Sequence, residues 1–199
     1  MSTYNLESNV AIVTGASRGI GKEICSELLK SNCYVLGTYS SNEEAANKCR
    51  NDLSSYGNKF FLKKSDASSE DDIKEVFNFA QKSWSLKVNL LVNNAGILNQ
   101  GPFDNLKSSD WDQTLKVNLK GPFLFCQRFL KQTLSSGAIV NISSIGGQIG
   151  GDKAPDYAAS KAALISLTRS IARLGAKKNI RSNAVAPGWI KTDIFNDQR

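Results

Sequence analysis

The chain has 199 residues, 41% of them hydrophobic, which is enough for one domain with a sizeable core and too few for two domains of ordinary size. We therefore expect a single domain over residues 1–199. The formal net charge is +7, but the basic residues are mixed with acidic ones and form no basic run, so nucleic-acid binding is not expected. Attraction to an anionic cofactor or an acidic partner is the better explanation of this charge.

The histidine and cysteine content excludes further classes of protein. The sequence has no histidine, which excludes a serine–histidine triad, and its 4 cysteines lack the Cys-x-x-Cys spacing of a zinc site, so no metal is expected. No apolar run reaches the roughly eighteen residues of a membrane span, and the first residues do not have the pattern of a secretion signal. We expect a cytoplasmic protein with reduced cysteines.

The first motif joins a strand, a glycine-rich turn and a helix. Asn9–Val13 is an apolar run, Gly15–Gly21 follows it directly, and apolar residues then recur at helical spacing. Glycines let the backbone approach a pyrophosphate, and the helix start presents free N–H groups to it. Glycine-rich loops are common, but the strand, turn and helix in this order indicate a dinucleotide-binding unit. The candidate cofactor contacts here are Gly15, Ser17, Arg18, Gly19, Ile20 and Gly21.

The end of the second predicted strand, Cys33–Tyr39, bears on the choice between NAD(H) and NADP(H). An acid at this point would hold the ribose 2′-hydroxyl, whereas small polar residues with a nearby arginine suit a 2′-phosphate. Ser40 and Ser41 follow the strand, and Arg18 lies in the glycine turn. These residues favour NADP(H) over NAD(H). The alternative is an ordinary solvated loop, since two glutamates follow closely.

Strands and helices continue to alternate along the rest of the chain. Further strands are predicted at Lys59–Lys64, Val88–Val92, Ala138–Ile142 and Ile180–Ala186. Helices are predicted at Glu43–Tyr56, from Ser68–Asp72 onward, at Ser109–Leu134 with a bend at Gly121–Pro122, and at Pro155–Ala176. This order, with no linker or internal repeat, predicts an α/β fold: a Rossmann-type doubly wound parallel sheet of about six strands with helices on both faces.

Three polar residues near the fifth strand form the candidate reaction centre. In a helix from Pro155, Tyr157 and Lys161 stand four residues apart and therefore share a face. Ser144 follows the fifth strand into a glycine-rich loop, so its hydroxyl can meet the phenol and the ammonium at one strand end. For any one of the three, an ordinary packing or capping role is the commoner explanation, but together with the glycine turn they favour a catalytic site.

With these motifs in place, the chain resembles the short-chain dehydrogenase/reductase family over essentially its full length. The motifs that carry the resemblance are Thr14–Gly21, Asp66, Asn93-Asn94-Ala95-Gly96, Asn118, Ser144, Tyr157-x-x-x-Lys161 and Pro187-Gly188-Trp189-Ile190-Lys191-Thr192. The amino-acid sequence around Thr14–Gly21 and Val185–Gly188 is most similar to the 3-oxoacyl-(acyl-carrier-protein) reductase type, although several sugar and alcohol dehydrogenases share these residues.

The resemblance implies an oxidoreductase that interconverts a carbonyl and a secondary alcohol, with reduction of a 3-oxoacyl thioester as the favoured reaction. Tyr157 is implied as the general acid–base, and Lys161 with the oxidised nicotinamide should lower its pKa. Lys161 would also bind the nicotinamide ribose, and Ser144 would hold the substrate oxygen. Asn118 would keep a water in a proton relay, or else would only tie two turns together.

Further cofactor contacts are implied at the ends of the third, fourth and sixth strands and in the reaction centre. They are Asp66, Ala67, Asn93, Asn94, Ala95, Gly96, Tyr157, Lys161, Pro187, Gly188, Ile190 and Thr192. Asp66 is implied to lie by the adenine and could also cap the helix after it.

Members of the family usually continue past the last motif with a helical segment over the substrate and a seventh, edge strand. The sequence given stops at Arg199, so we expect neither element here and an exposed sixth strand. A homo-oligomer, dimer or tetramer, is also implied, as is an acidic carrier protein that Lys177 and Lys178 could attract. The alternatives are another carbonyl, sugar or alcohol dehydrogenase of the family, an NADP(H)-binding module without turnover, or a fragment that does not fold alone.

Overall fold

Six strands form one parallel sheet. The computed structural model describes residues 4–133 and 135–191, and the strands within them are β1 (Val10–Val13), β2 (Tyr34–Tyr39), β3 (Phe60–Lys64), β4 (Leu90–Asn93), β5 (Gly137–Ile142) and β6 (Ile180–Val185). Their spatial order is β3-β2-β1-β4-β5-β6, and every neighbouring pair is parallel. The predicted Rossmann-type sheet is therefore confirmed.

Helices connect the strands in the predicted alternation. They are α1 (Gly19–Lys30), α2 (Glu43–Asp52), α3 (Glu70–Trp84), α4 (Ser108–Leu115), α5 (Gly121–Gln132), α6 (Gly146–Ile149) and α7 (Pro155–Gly175). The start of α3 follows its sequence signal, because Ser69 accepts a hydrogen bond from the N–H of Asp72 and three acids lie in the first turn. Within the described ranges, no helix combines the length and the apolar character that a membrane crossing requires.

The core lies on both sides of the sheet, and alternate residues of β1 divide between the two sides. Val10 and Ile12 belong to a cluster with α3, α5 and α7, whereas Ala11 and Val13 belong to a cluster with α1 and α2. This alternation is the pattern of a strand that is buried on both faces. Among the described residues, α1 and α2 cover mainly β1 to β3, so Val140 of β5 is only partly buried on that side.

The stretch predicted as one helix over Ser109–Leu134 is divided. After α4, the π-helical segment Lys116–Lys120 leads into α5. We expected Gly121–Pro122 to bend the helix, and the irregularity lies directly before them. The backbone stays helical from Lys120 into Gly121, so Pro122 cannot donate to the carbonyl one turn earlier, and that turn is the π-helical one. This segment buries Asn118.

Two other boundaries differ from the sequence prediction. The second predicted helix stops at Asp52 and is followed by 3-10 turns over Ser54–Lys59, where Gly57 has a φ of 55° that ends the helical path. Helix α6 was not predicted, because its four residues in a glycine-rich loop carry no helical periodicity.

Candidate active site

A cavity of about 830 Å³ runs along the carboxyl ends of the strands. It spans the point where the strand order reverses between β1 and β4, which is the usual ligand position in an open α/β sheet. Most of the residues predicted as functional line it: Gly15, Ser17, Arg18, Gly19, Ile20, Ser40, Ser41, Asp66, Ala67, Asn94, Ala95, Gly96, Ser144, Tyr157, Lys161, Pro187, Gly188 and Ile190. The sequence therefore located the cavity wall well.

Three residues predicted for the site are placed differently, and one lies outside the described residues. Gly21, Asn93 and Asn118 are buried behind the cavity wall and do not line it. Thr192 lies outside the residues that the structure describes. The first three are explained by the contacts described below.

The glycine turn is shaped by close backbone contacts. Gly15 has a φ of +63°, and a Cβ on it would lie 2.9 Å from the Cα of Ala95. A Cβ on Gly21 would overlap the carbonyl oxygen of Gly15 and lie 2.5 Å from Asn94 Nδ2. Gly21 is therefore needed to seat the first turn of α1 against the glycine turn, and this is why it does not face the cavity.

Asn94 joins the ends of β1 and β4. Its Nδ2 donates hydrogen bonds to the carbonyl oxygens of Thr14 at 3.0 Å and Gly15 at 2.9 Å. The Thr14 hydroxyl in turn accepts from the backbone N–H groups of Asn94 and Ala95. These four bonds hold the glycine turn rigidly, which suits a turn whose backbone must meet a phosphate.

The first turn of α1 makes this end of the cavity suitable for an anion. The helix begins at Gly19, its first turn contains no acid, and Arg18, Ser40 and Ser41 line the cavity beside it. Glu43, which follows β2 closely, does not line the cavity. Its carboxylate accepts from the Tyr39 hydroxyl at 2.9 Å and from Arg50 at 3.3 Å, and these two partners lower its pKa.

Asp66 lines the cavity, but it does not cap α3, because the N-cap of that helix is Ser69 and the Asp66 side chain bonds to the turn before it. Its Oδ1 accepts from the N–H of Ser68 at 2.8 Å and from the Ser68 hydroxyl at 2.7 Å. These bonds lower the pKa of the carboxyl.

The three residues of the predicted reaction centre meet at the end of β5. Tyr157 and Lys161 lie in α7, with the Lys161 ammonium 5.6 Å from the centre of the Tyr157 ring. Lys161 is only 3% exposed, and its Nζ donates to the carbonyl oxygen of Ile142 at 2.7 Å. The Ser144 hydroxyl accepts from the N–H of Gly146 at 3.1 Å and lies near enough to Tyr157 to lower the pKa of the phenol. A hydroxyl, a phenol and an ammonium therefore line one wall of the cavity.

Burial moves the pKa values of the two titrating groups in opposite directions. It raises the pKa of Tyr157, which the Ser144 hydroxyl partly offsets, and it lowers the pKa of Lys161 to about 8. Ser144 is the protein group that lowers the Tyr157 pKa here, and the expected effect of Lys161 on it stays a prediction. The ammonium is hydrogen-bonded to the β5 backbone, and it lies beside the tyrosine ring. The effect of the oxidised nicotinamide on Tyr157 stays a prediction.

Asn118 ties three segments together from within the core. Its Oδ1 accepts from the N–H of Ile97 at 2.8 Å, and its Nδ2 donates to the carbonyl of Ile97 at 2.9 Å and to Ser160 Oγ at 3.2 Å. The π-helical segment is thereby joined to the loop after β4 and to α7. This is the tie named as the alternative for Asn118, and its part in a proton relay stays a prediction.

Asn93 braces the sheet. Its Nδ2 donates to Asn141 Oδ1 at 2.8 Å, and Asn141 Nδ2 donates to the Thr168 hydroxyl at 2.9 Å. This chain of amides runs from β4 through β5 to α7. Because neighbouring side chains on a strand point to opposite faces, Asn93 points into the core at this strand end.

Sequence reasoning missed residues at both ends of the cavity. They are Thr38, Tyr39, Asn42 and Ser65 beside the glycine turn, and Ile97, Leu98, Gln100, Gln113, Val117, Ile142, Ser143, Ile145, Gly146, Ile149, Gly150, Gly151, Asp152, Lys153, Ala154, Ala158 and Trp189 beside the reaction centre. The first group could have been found, since it lies at the ends of β2 and β3. Most of the second group comes from irregular loops, the π-helical segment and the short helix α6, and no periodic signal points to these parts of the chain.

The chain is similar to known proteins over most of its length. A family model described as short chain dehydrogenase matches residues 9–199. The chain is 36% identical over 188 residues to a Staphylococcus epidermidis protein named 3-oxoacyl-(acyl-carrier-protein) reductase, covering 94% of this chain and 77% of that protein. It is 37% identical over 193 residues to an Aquifex aeolicus protein of the same name, covering 95% of this chain and 77% of that protein.

The likeness extends to solved structures. The crystal structure of a dehydrogenase/reductase from Sinorhizobium meliloti 1021 matches with a TM-score of 0.90 at 29% identity, covering 96% of this chain and 75% of that one. The chain belongs to the short-chain dehydrogenase family of oxidoreductases.

Proposed function

We propose that this protein is an NADP(H)-dependent oxidoreductase that interconverts a carbonyl and a secondary alcohol, with Tyr157 as the general acid–base. The observation that supports this most strongly is the meeting of the Ser144 hydroxyl, the Tyr157 phenol and the buried Lys161 ammonium at one end of the cavity. A turn suited to phosphate lies at the other end of the same cavity. A cavity with these two ends suits a dinucleotide and a small substrate.

The residues at the glycine turn fit the phosphates of a dinucleotide. The first N–H groups of α1 would bind the pyrophosphate, and Arg18 with Ser40 and Ser41 would bind the 2′-phosphate of NADP(H). Glu43 is bonded to Tyr39 and Arg50, so it would not repel that phosphate from the cavity wall. When bound, the nicotinamide supplies or accepts the hydride.

The protein groups would handle the proton. In the direction of reduction, the Ser144 hydroxyl would bind the carbonyl oxygen and Tyr157 would protonate it. Burial raises the Tyr157 pKa, so the phenol keeps its proton at neutral pH and needs a nearby positive charge to release it readily. Lys161, with its pKa lowered to about 8, is still charged at pH 7 and would stabilise the phenolate that remains. Asn118 would support the return of the proton through a bound water.

A 3-oxoacyl thioester is our proposed substrate. Two relatives are named for reduction of such groups on a carrier protein, and the apolar residues Ile97, Leu98 and Ile149 line the cavity. Lys177 is exposed after α7 and would attract an acidic carrier. Lys178 is less available, because its Nζ donates to the carbonyl of Leu130 at 2.6 Å.

The substitution Tyr157→Phe tests this function. With NADPH and an acetoacetyl thioester, turnover should fall by about a thousandfold, because the phenol that gives the proton is gone. NADPH binding, followed by fluorescence titration, should stay unchanged. The rate is read from the loss of NADPH absorbance.

The matched control is Tyr34→Phe, which removes the same hydroxyl from a tyrosine packed on Trp84 outside the cavity. Turnover in this variant should equal that of the unmodified protein. If Tyr157→Phe also turned over normally, the assignment of Tyr157 would be wrong. NADPH binding without turnover of any carbonyl by the unmodified protein would instead indicate a binding module.

A further inference from the structure

The segment that leads from β5 to Ser144 is fastened to α7 at a single residue. Ser143 Oγ donates a hydrogen bond to the carbonyl oxygen of Lys161 at 2.8 Å. Lys161 Nζ donates in the opposite direction, to the carbonyl oxygen of Ile142 at 2.7 Å. We call these two hydrogen bonds the 142–161 clasp. Both Ser143 and Lys161 are 3% exposed, so the clasp is shielded from water.

Helix α6 packs against the same place on α7. A Cβ on Gly147 would lie 2.7 Å from the carbonyl carbon of Lys161 and 2.8 Å from the backbone nitrogen of Ala162. Such distances are too short for a carbon atom, so only glycine lets the two backbones meet here. The clasp and this contact therefore hold the loop from both sides of Ser144.

The Ser143 hydrogen bond is not needed to complete the helix. Lys161 lies in the interior of α7, where the helix provides each carbonyl with its own N–H partner. The bond from Ser143 is additional, and it joins the strand end to the helix. Its position matters because Ser144 is the next residue along the chain and Tyr157 lies one helical turn before Lys161.

We propose that Ser143 is a positioning residue that holds the Ser144 hydroxyl opposite the Tyr157 phenol through the 142–161 clasp. The effect on rate rests on the proposed function, in which those two hydroxyls share one carbonyl oxygen. The clasp does not depend on that function, because both of its hydrogen bonds join atoms of the protein itself. Ser143 borders the same cavity, but its hydroxyl is bonded to the Lys161 carbonyl and it is only 3% exposed, so it acts through its neighbours.

Ser143→Ala should separate the two hydroxyls while the sheet and the cofactor end stay intact. The variant loses the hydrogen bond from Ser143 to the Lys161 carbonyl, so Ser144 is held less well in the transition state, and kcat should fall by about tenfold. KM for the thioester and the affinity for NADPH should change by less than about twofold, because the groups that bind them are untouched. Tyr157 should also lose part of its contact with Ser144, so its pKa should rise further.

The matched control is Ser182→Ala. Ser182 is also a buried serine, on the neighbouring strand β6, and its hydroxyl has no hydrogen-bond partner among the described residues. This variant makes the same chemical change in the same sheet without touching the clasp. Its kcat and its Tyr157 pKa should equal those of the unmodified protein.

A tyrosine titration by nuclear magnetic resonance tests the clasp without turnover. The protein has 5 tyrosines, so 13Cζ-labelled tyrosine gives few signals, and Tyr157→Phe identifies the one that matters. An upward move of the Tyr157 pKa in Ser143→Ala but not in Ser182→Ala supports the proposal. Equal titration in both variants overturns it. If the unmodified protein showed no turnover but Ser143→Ala still raised the Tyr157 pKa, the proposed function would be contradicted and the clasp would remain supported.

Two further variants cover the case in which Ser143→Ala does not fold. Ser143→Thr keeps the hydroxyl and should restore kcat and the Tyr157 titration. Gly147→Ala inserts a methyl group between α6 and α7 and should reproduce the titration shift of Ser143→Ala. If Gly147→Ala folds and titrates normally, Ser144 does not depend on this contact and the proposal is wrong. Unfolding of Ser143→Ala and Ser143→Thr, with Ser182→Ala intact, would also overturn it, because the residue would then determine folding.

Discussion

The two ends of the cavity differ in what forms their walls, which is backbone at one end and side chains at the other. At the glycine turn the wall is mostly backbone, shaped by Gly15, Gly21 and the start of α1 and held by the amide of Asn94. At the end of β5 the wall is made of reactive side chains, and one of them, Lys161, is a buried charge. A backbone wall depends on the absence of side-chain atoms, whereas a side-chain wall depends on the protonation state and direction of a few groups.

This difference determines which substitutions should damage each end. At the glycine turn, a single added methyl group should remove binding, and pH should matter little. At the reaction centre, removing a charge should remove turnover and can even stabilise the fold, because burying an ammonium with few partners is unfavourable.

Lys161→Met should have the largest effect and should separate activity from stability. We expect turnover to fall by about a thousandfold, since the phenolate loses its cation. The free energy of unfolding at pH 7 should rise by at most about 3 kcal/mol, because burial lowers the Lys161 pKa from 10.5 to about 8 and the variant removes that penalty, while loss of the hydrogen bond to the Ile142 carbonyl offsets part of the gain. Steady-state rates and urea unfolding measure the two quantities.

The pH profile of the unmodified protein provides the control for Lys161. The ammonium is protonated below pH 8, so the rate of reduction should be level there and should fall as the pH rises through about 8. Tyr157 should not cause this fall in rate, because burial raises its pKa and moves it further from this pH range. A rate that stays level up to pH 9.5 would contradict the assigned role of the charge. Lys30→Met, at an exposed pair with Glu27, should change neither rate nor stability.

Gly21→Ala should displace the glycine turn and weaken cofactor binding at that end of the cavity. The added methyl group would overlap Gly15 and Asn94, and relief of that overlap should displace the turn at a cost of about 2 to 3 kcal/mol. NADPH affinity should fall by roughly a hundredfold, with the dissociation constant measured by fluorescence titration. Gly101→Ala is the matched control, because nothing lies within 4 Å of its added carbon. Equal affinities in the two variants would show that the turn does not hold the cofactor.

Arg18→Ala should have the smallest effect and should sharpen the cofactor preference. Loss of a charge-assisted bond to the 2′-phosphate should weaken NADPH binding by about tenfold and leave NADH binding nearly unchanged. The ratio of the two dissociation constants is the measurement. Arg169→Ala, on the exposed part of α7, should leave that ratio as it was. An equal loss for both cofactors would assign Arg18 to the pyrophosphate instead.

Local patterns were sufficient to predict the sheet and most of the cavity wall. Strand-like runs separated by helical periodicity imply parallel strands, and parallel strands place the residues that follow them at one edge. For this reason Ser17, Ser40, Asn94 and Ser144 could be assigned to one cavity from the sequence. Gly21 and Asn93 were assigned to the same wall, but both are buried behind it. Gly21 packs against the glycine turn, and the alternation of side chains along β4 points Asn93 into the core.

The sequence by itself determined the Rossmann-type architecture, the glycine turn and the spacing of Tyr157 and Lys161, because each depends on residues close together along the chain. Only the tertiary structure decided the π-helical segment around Asn118, the 142–161 clasp and the protonation of Lys161. These depend on atoms from distant segments that meet in a water-free interior, where one carbonyl or hydroxyl determines the direction of a side chain and the energy of its charge.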